Sequence, residues 1–277
     1  MAQIKIKTRL DRLTRQELHE LSLEFCQAKP FNYIVLDNFL DESDALSIAS
    51  EFPKFDDPLW YSYDNPLEIK KASNNWNAFQ NKTYQFFNHV LSPEFTEKVE
   101  LLINGKMENL LVPDIGLHGG GLHTHKSGGK LNPHLDYSIH PKLGLQRTAN
   151  LILYINPEWK PEYGGAFGIW ENKEGTIEPG KLERQIDCIF NRAVIFNTTQ
   201  NSWHGICNQI ISPEKITRNS LAAYYLMEPP ALHDSRMKVR YAPTEEQKGD
   251  PIIENLIKDR QSITKFSKVY VKEKSKI

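Results

Sequence analysis

The spacing of hydrophobic and polar residues changes near residue 113. Before this point, apolar residues recur every three or four positions in several segments, as Leu18, Leu21 and Phe25 do. This spacing is typical of helices that bury one face. From 113 to about 227, short apolar runs alternate with glycine, proline and polar turns, a pattern that favours a sandwich or a jelly roll. The sequence therefore predicts a mainly β protein with flanking helices.

The N-terminal part, residues 1–112, is predicted to hold helices and one edge strand that pack on the β core. The last of these helices has the clearest ends, because Ser92 can cap it, Pro93 suits its first turn and Gly105 can stop it. The strand and the other helices are expected at 31–39, within 1–29, at 42–52 behind the cap Asp41, and at about 77–91.

Residues 113–230 form the predicted β core, and residues 231–277 a charged helical tail of the same compact domain. Core strands are expected at 149–155, 166–170, 192–196 and 220–226, a tail helix near 252–260, and a solvated lysine-rich end at 272–276. The segment 53–75 is predicted to be irregular, and its aromatic stretch 58–63 is a candidate lid over a site.

Composition and charge narrow the function classes. The 277 residues fit one domain with elaborations, and 39% hydrophobic and 25% charged residues are ordinary for a globular protein. A net charge of −1 gives no reason to expect nucleic acid or an anionic membrane as a partner. The charged N-terminus lacks the apolar stretch of a secretory signal. No apolar run reaches the ~20 residues of a membrane helix. The three cysteines form no CxxC pair, which disfavours a structural zinc site or a redox motif. We therefore expect a cytoplasmic protein.

The tripeptide His134-Leu135-Asp136, followed by a distant His204, carries the candidate chemistry. Residues i and i+2 of an extended strand point to the same side, so His134 and Asp136 are expected to face one cavity while Leu135 faces away. Two imidazoles and one carboxylate are the facial triad of non-haem Fe(II) oxygenases, and they leave three coordination positions open. Zinc held by the same residues is the chemical alternative.

Arg218 and Ser220, beyond the distant histidine, share one strand face by the same alternation. A guanidinium can hold a carboxylate through two parallel hydrogen bonds, and a hydroxyl can add a third. This pair therefore favours iron and a carboxylate cosubstrate, 2-oxoglutarate. Tyr154 lies on a polar strand face with Asn150 and is expected to donate to the same carboxylate.

Other residues of this region are candidates with open roles. His123, His125 and His140 are candidates for binding substrate or a second metal, or for hydrogen bonds around the site. Arg147, Trp170 and Trp203 are candidates for the border of the substrate entrance, with ordinary packing as the alternative for the two tryptophans.

The chain resembles the prolyl-4-hydroxylase-like branch of the 2-oxoglutarate/Fe(II) dioxygenases, in particular bacterial proteins of the 2-oxoglutarate-Fe(II) oxygenase type. The matching stretches span roughly residues 30–227. They are PFNYIVLDNFLDESDALSIASEFP, GGGLHTHKSGGKLNPHLDYSIHP, RTANLILYINPEWKPEYGGAFGIW, NRAVIFNTTQNSWHG and TRNSLAAYYL.

The resemblance implies a double-stranded β-helix core, of the jelly-roll or cupin-like kind, with helices on one side. It implies Fe(II) held by His134, Asp136 and His204, and 2-oxoglutarate held by Arg218 with Tyr154. The implied enzyme consumes O₂, converts 2-oxoglutarate to succinate and CO₂ and hydroxylates a substrate, with ascorbate as a further reductant. Asp136 favours hydroxylation, because related halogenases replace this carboxylate with a small residue.

Two positions bear on the substrate and the cosubstrate. Arg147 matches a position that can face the prime substrate in related hydroxylases. Many relatives carry a tyrosine where this chain has Thr124 or His125, so the cosubstrate contact at this position differs.

Two other functions remain open. One is a non-catalytic jelly-roll module that binds a sugar or a protein, and the other is a zinc-dependent hydrolase on a cupin-like fold. The substrate of an oxygenase is expected to be a small molecule or a peptide, with prolyl residues, amino acids and saccharide or lipid-linked intermediates all as candidates. The sequence leaves the oligomeric state open.

Overall fold

The computed structural model of the protein describes residues 6–108, 110–262 and 271–272. This part of the chain forms two antiparallel sheets that face each other across the candidate site, with helices packed on the larger sheet. The helices are α1 (Arg15–Gln27), α2 (Glu42–Glu51), α3 (Asn81–Val90), α4 (Pro93–Asn104) and α5 (Pro251–Gln261).

The larger sheet has the strand order β1-β11-β8-β13-β5-β3-β2-β15, with β4 paired to β13 and β6 paired to β3. These strands are β1 (Tyr33–Leu36), β2 (Tyr61–Asn65), β3 (Glu68–Ser73), β4 (Val112–Pro113), β5 (Gly121–His125), β6 (Lys130–Leu131), β8 (Gln146–Tyr154), β11 (Ala193–Asn197), β13 (Arg218–Met227) and β15 (Val271–Lys272). The smaller sheet has the order β10-β9-β12-β7-β14. Its strands are β7 (His134–Leu135), β9 (Phe167–Asn172), β10 (Pro179–Ile186), β12 (His204–Ile206) and β14 (Arg240–Tyr241). This architecture confirms the predicted mainly β fold with flanking helices.

The main hydrophobic core lies between the N-terminal helices and the larger sheet. Phe25 of α1 and Phe95 of α4 are fully buried there against Leu151 and Leu153 of β8 and Leu221 of β13. Fully burying one such side chain contributes about 1.5–3 kcal/mol, so this packing fixes where β8 and β13 lie.

The predicted ends of α4 are confirmed. The Ser92 hydroxyl accepts the N–H of Phe95 at 3.3 Å, Pro93 is the first helical residue, and Gly105 ends the helix with φ +70°. A left-handed residue at this position is a common helix stop, and glycine adopts it without a steric penalty.

Three local predictions are corrected. The segment 53–75 is irregular only in part, because Tyr61–Asn65 (β2) and Glu68–Ser73 (β3) form a hairpin there that extends the larger sheet. The strand β10 was missed, since its residues are mostly exposed and lack an apolar alternation. The third helix begins at Asn81 rather than near 77, because Trp76–Ala78 form a separate 3-10 turn.

The C-terminal segment packs against the strand that carries the candidate metal ligands. β14 pairs with β7, and Tyr241 lies opposite His134. The predicted tail helix is confirmed as α5, which buries Ile253 and Arg260. Most of the lysine-rich end, 272–276, lies outside the described residues.

Candidate active site

The three predicted metal ligands meet between the two sheets. β7 and β12 are neighbouring antiparallel strands, and His134 lies directly opposite His204 in their register. Asp136 follows β7, with Oδ1 3.8 Å from Nε2 of His134 and Oδ2 3.9 Å from Nε2 of His204. Their ligand atoms all lie within 4.8 Å of one another, and among the described residues this is the group that has metal-site geometry.

Backbone carbonyls decide which nitrogen of each imidazole is free to bind a metal. Nδ1 of His134 lies 2.9 Å from the carbonyl oxygen of Asn132, and Nδ1 of His204 lies 2.8 Å from that of Ser202. Because a carbonyl can only accept a hydrogen bond, each Nδ1 carries the proton. Each Nε2 therefore keeps its lone pair, and a hydrogen bond of this kind orients most metal-binding histidines.

The surroundings give these side chains the protonation states that a metal site needs. Burial lowers the pKa of His134 to about 3 and also lowers the pKa of His204. Burial alone would raise the pKa of Asp136, but His204, Arg147, His134 and the Tyr224 hydroxyl together lower it to about 2. At neutral pH the site therefore offers two neutral imidazoles and one carboxylate. This donor set fits Fe(II).

Arg147 is buried beside the Asp136 carboxylate. Its guanidinium is stacked between two phenol rings, with Cζ 3.5 Å from the ring centroids of Tyr137 and Tyr224. Nη2 donates to the Tyr137 hydroxyl and to the carbonyl of His118, and Nη1 lies 3.7 Å from Oδ1 of Asp136. The Tyr224 hydroxyl donates to Oδ2 of Asp136 at 3.1 Å. Arg147 and Tyr224 therefore hold the carboxylate in place and stabilise its charge.

Arg218 begins β13 and lines the same cavity as the metal ligands. Nε donates to the carbonyl of Gly165 at 2.7 Å and contacts Sγ of Cys188 at 3.1 Å, and Nη2 lies 3.4 Å from the Tyr154 hydroxyl. Arg218 is only 5% exposed, and no carboxylate pairs with it among the described residues. A buried charge without a counter-ion is costly, so the cavity is expected to take an anion here.

The carbonyl that holds Arg218 depends on a glycine. Gly165 has φ +70°, and a Cβ at this position would lie 3.0 Å from Cδ of Arg218 and 3.1 Å from Cγ1 of Ile210. Any other residue would be strained in this conformation and would push against the arginine. Gly165 therefore sets the position of the guanidinium.

The inner cavity, of about 160 Å³, lies between the metal ligands and Arg218. His125 lines it and stands opposite Arg218 in the register of β5 and β13. Its ring is almost fully buried, burial lowers its pKa well below the usual value, and neither ring nitrogen has a hydrogen-bond partner among the described residues. Oδ1 of Asn150, which also lines the cavity, is likewise buried without a hydrogen-bond partner among the described residues. Buried polar atoms nearly always have partners, so these atoms fit a polar ligand.

A wider outer cavity, of about 520 Å³, adjoins the inner cavity, since residues such as Lys70, His123 and Tyr137 line both. The β2–β3 hairpin forms one wall of the outer cavity and the C-terminal segment forms another. In the candidate lid stretch 58–63, Tyr61 and Tyr63 line this cavity, whereas Trp60 is buried in the main core.

The expected entrance role of the tryptophans is corrected. Trp203 lines neither cavity and packs instead with Leu135, Ala242 and Trp170. The reason is strand alternation: Trp203 precedes His204, so it faces away from the ligands. The three additional histidines lie in different surroundings. His123 and His125 line the inner cavity, whereas His140 lies 3.6 Å from Asp114 and lines neither cavity.

Several residues of the site escaped sequence reasoning. Tyr224 could have been found, because it shares the strand face of Arg218 and Ser220 by the same period of two. Lys70 and Arg236 gave no signal. Arg236 donates to the carbonyl of Asp136 from a segment a hundred residues away along the chain.

Comparison with known proteins places this site in a family. A model described as the 2OG-Fe(II) oxygenase superfamily matches residues 120–226, the stretch that holds every metal and cosubstrate candidate. A search of curated protein sequences gave no match.

Three solved structures are similar to this chain, and two of them are named as prolyl hydroxylases. A prolyl-4-hydroxylase from Pseudomonas putida is 16% identical with a TM-score of 0.50, and the alignment covers 77% of this chain and 100% of that chain. A Trichoplax adhaerens prolyl hydroxylase, solved with a hypoxia inducible factor peptide, is 15% identical with a TM-score of 0.49 and coverages of 76% and 91%. HygX from Streptomyces hygroscopicus, solved with nickel, 2-oxoglutarate and hygromycin B, is 15% identical with a TM-score of 0.47 and coverages of 86% and 95%.

The fold, the ligand geometry and the family match agree. Residues 120–226 match the 2OG-Fe(II) oxygenase superfamily, and the chain is a 2-oxoglutarate-dependent dioxygenase, in agreement with its resemblance to the prolyl-4-hydroxylase-like branch. The likeness to the Pseudomonas enzyme confirms the predicted double-stranded β-helix fold. No helix among the described residues has both the length and the apolar character to cross a membrane.

Proposed function

We propose that His134, Asp136 and His204 bind Fe(II), and that Arg218 binds the distal carboxylate of 2-oxoglutarate. One observation carries the second assignment: a buried guanidinium, which no carboxylate of the described residues pairs with, lines the same small cavity as the three metal ligands. Tyr154 and Ser220 stand opposite each other in the register of β8 and β13, and both line this cavity. Their hydroxyls donate to the same carboxylate.

The remaining residues of the inner cavity hold and orient these groups. With Fe(II) and 2-oxoglutarate bound, the site supplies an oxidant made from O₂, with succinate and CO₂ as co-products, that hydroxylates a C–H bond of the substrate. Arg147 and Tyr224 keep the Asp136 carboxylate ionised and fixed. The neutral His125 ring offers one donor and one acceptor to the bound cosubstrate, at the position where many relatives have a tyrosine.

The prime substrate, a small molecule or a peptide, reaches the metal ligands through the outer cavity. Residues 113–230 form the dioxygenase core, and the helices of 1–112 support it. Arg147 lines the inner cavity and influences the substrate indirectly, by holding the Asp136 carboxylate in place. Trp203 does not contact the substrate, because it packs away from both cavities. Ascorbate serves as a further reductant, and the protein is located in the cytoplasm.

The test is the formation of succinate in air. Purified protein is stripped of metal, reloaded with Fe(II) or Zn(II), and incubated with 2-oxoglutarate and a mixed metabolite extract. We expect succinate with Fe(II), none with Zn(II), and a substrate mass gain of 16 Da. Hydrolysis of an extract component by the zinc form without 2-oxoglutarate would support the zinc hydrolase instead. Binding without any turnover would support the non-catalytic module.

A further inference from the structure

We propose that Arg236 is a positioning residue for the metal-binding carboxylate of Asp136, and that the segment 234–247 acts as a strap that orients two of the three metal ligands. This inference rests on the proposed function, in which Asp136 and His134 bind Fe(II). Arg236 lines neither cavity, so it acts through Asp136 rather than by touching substrate or cosubstrate. Two sets of contacts carry the proposal, one to Asp136 and one to His134.

The backbone of Asp136 is held by Arg236. Asp136 follows β7 and lies beyond the strand pairing, which ends at Leu135. Nη1 of Arg236 donates to the carbonyl of Asp136 and, at 3.2 Å, to that of Leu135. The Arg236 carbonyl accepts the N–H of Ser138 at 2.7 Å and that of Ile139 at 3.1 Å. The strap therefore continues where β7 ends and fixes the backbone on both sides of the carboxylate.

Asp234 holds the Arg236 guanidinium in this position. Its Oδ2 accepts from Nε at 3.1 Å and lies 3.0 Å from Nη2, and its Oδ1 accepts the backbone N–H of Arg236 at 2.9 Å. Contacts to two nitrogens of a planar guanidinium fix its orientation. The side chains of Arg236 and Asp234 are 13% and 22% exposed, so most of the solvent is kept from these bonds. Arg236 is therefore oriented in advance as a donor to Asp136.

The same strap supports His134. Tyr241 lies opposite His134 in the register of β14 and β7, and the centroids of the two rings are 5.5 Å apart. The carbonyl that accepts from Nδ1 of His134 belongs to Asn132. The side-chain amide of Asn132 donates to the carbonyl of Ala242 at 3.0 Å and to Oε1 of Gln247 at 2.6 Å. The strap therefore fixes the residue that leaves Nε2 of His134 free for the metal.

The strap lies outside residues 120–226, the stretch that matches the oxygenase family. Within that stretch, Arg147 and Tyr224 contact the Asp136 carboxylate from the inner cavity. Arg236 acts instead on the backbone of the same residue, from outside both cavities. Loss of Arg236 should therefore weaken metal binding and leave the contacts to the cosubstrate as they are.

The first experiment measures metal affinity directly. The Kd of Mn(II) is determined from the EPR signal of free Mn(II) at saturating 2-oxoglutarate. Arg236→Met keeps an unbranched stem and removes the donors, and we expect about tenfold weaker binding, as is usual for a residue that supports a metal ligand. Arg236→Lys keeps one charged donor and should recover part of the affinity. Arg184→Met, which removes an exposed arginine of β10, is the control. Wild-type affinity in Arg236→Met would overturn the proposal.

The second experiment separates positioning from a general loss of structure. The Kd of 2-oxoglutarate is measured by calorimetry at saturating Mn(II), for the wild type and for Arg236→Met. We expect the two values to agree within about threefold, because the contacts of Arg218 are not changed by the substitution. If Arg236→Met lost as much affinity for 2-oxoglutarate as for Mn(II), the substitution would have disturbed the whole site, and the positioning role would be overturned.

Asp234→Asn decides the proposal if Arg236→Met does not fold. This variant leaves Arg236 in place and removes the charge that orients it, so we expect about threefold weaker Mn(II) binding. Asp56→Asn, at an exposed aspartate before β2, is the control. Unchanged Mn(II) affinity in Asp234→Asn would then overturn the proposal. Failure of the proposed function would look different, because the wild type would bind no Mn(II) that Asp136→Ala abolishes.

Discussion

The inner and outer cavities share part of their lining, but the residues that distinguish them come from different parts of the chain. The inner cavity takes its chemistry from β7, β8, β12 and β13, where each functional side chain is fixed by a neighbour in the fold. The outer cavity is lined by the β2–β3 hairpin and by the segment around Lys238 and Arg260. These two segments lie on either side of the core strands in the sequence. The core strands therefore hold the metal and cosubstrate candidates, whereas segments outside the core line much of the outer cavity.

Asp136→Ala is expected to have the largest effect on this comparison, because it removes one of three ligands from the inner cavity. Loss of a residue that only supports a ligand costs 10- to 100-fold in metal affinity, so we expect a loss of more than about 100-fold. Anaerobic equilibrium dialysis with Fe(II) measures it. Glu174→Ala, in an exposed turn, is the control. Unchanged iron affinity would remove Asp136 from the metal site.

Arg218→Ala is expected to weaken 2-oxoglutarate binding while metal binding persists. A hydrogen bond to a charged group contributes about 1.5–3 kcal/mol, which corresponds to about 10- to 150-fold in Kd. Isothermal titration calorimetry of the Mn(II)-loaded protein with 2-oxoglutarate measures this change in Kd. Arg184→Ala, an exposed arginine of β10, should leave the Kd as it is. A wild-type Kd in Arg218→Ala would place the cosubstrate elsewhere.

The buried histidines predict that acid destabilises the metal-free protein. The pKa values of His123 and His134 are lowered to about 3 by burial, below the value near 6.5 of an unfolded chain. The unfolded state therefore binds protons first as the pH falls. The stability from the neutral rings is complete above pH 6.5 and is lost between 6.5 and about 3, by about 1.4 kcal/mol per pH unit for each histidine. Urea unfolding at pH 7, 6, 5 and 4 measures the slope.

Two variants separate this effect from general acid unfolding. His123→Asn removes one titrating ring of the cavity and should make the slope shallower. His19→Asn changes an exposed histidine of α1 and should leave the slope unchanged. Equal slopes in all three proteins would contradict the assignment of the pH dependence to the cavity.

Gly165→Ala is expected to have the smallest effect, because it shifts Arg218 without removing it. Alanine at φ +70° costs about 1–2 kcal/mol, and its Cβ would press on the arginine at 3.0 Å. We expect a few-fold weaker 2-oxoglutarate binding and a lower free energy of unfolding. Gly175→Ala, at an equally positive φ but with open space around it, should lower stability alone. Equal cosubstrate affinity in both variants would show that Gly165 does not set the guanidinium position.

The sequence predicted the inner cavity well because its determinants are local. The period of two in a strand correctly assigned the opposite faces of β8 and correctly turned Leu135 away from the metal ligands. The cap at Ser92 and the stop at Gly105 are likewise properties of a few adjacent residues. The same rule applied to Trp203 would have turned it away from the site, since it directly precedes His204.

The outer cavity could not be predicted, because its residues meet only in the folded chain. Lys70 and Arg260 are 190 residues apart along the chain and share Glu68 as a partner. The sequence around each of them contains no motif that would distinguish it from the lysines and arginines of the protein surface. The polar β2–β3 hairpin also has no apolar alternation, since it is an outer part of the larger sheet.

The most direct test of the central claim is an anaerobic titration of Fe(II) into the metal-free protein with excess 2-oxoglutarate, followed by visible absorption. We expect a weak charge-transfer band that saturates at one iron per chain. The band should be absent when succinate replaces 2-oxoglutarate and absent in Asp136→Ala. A featureless spectrum of the wild type with iron bound, or the same band in Asp136→Ala, would contradict this claim.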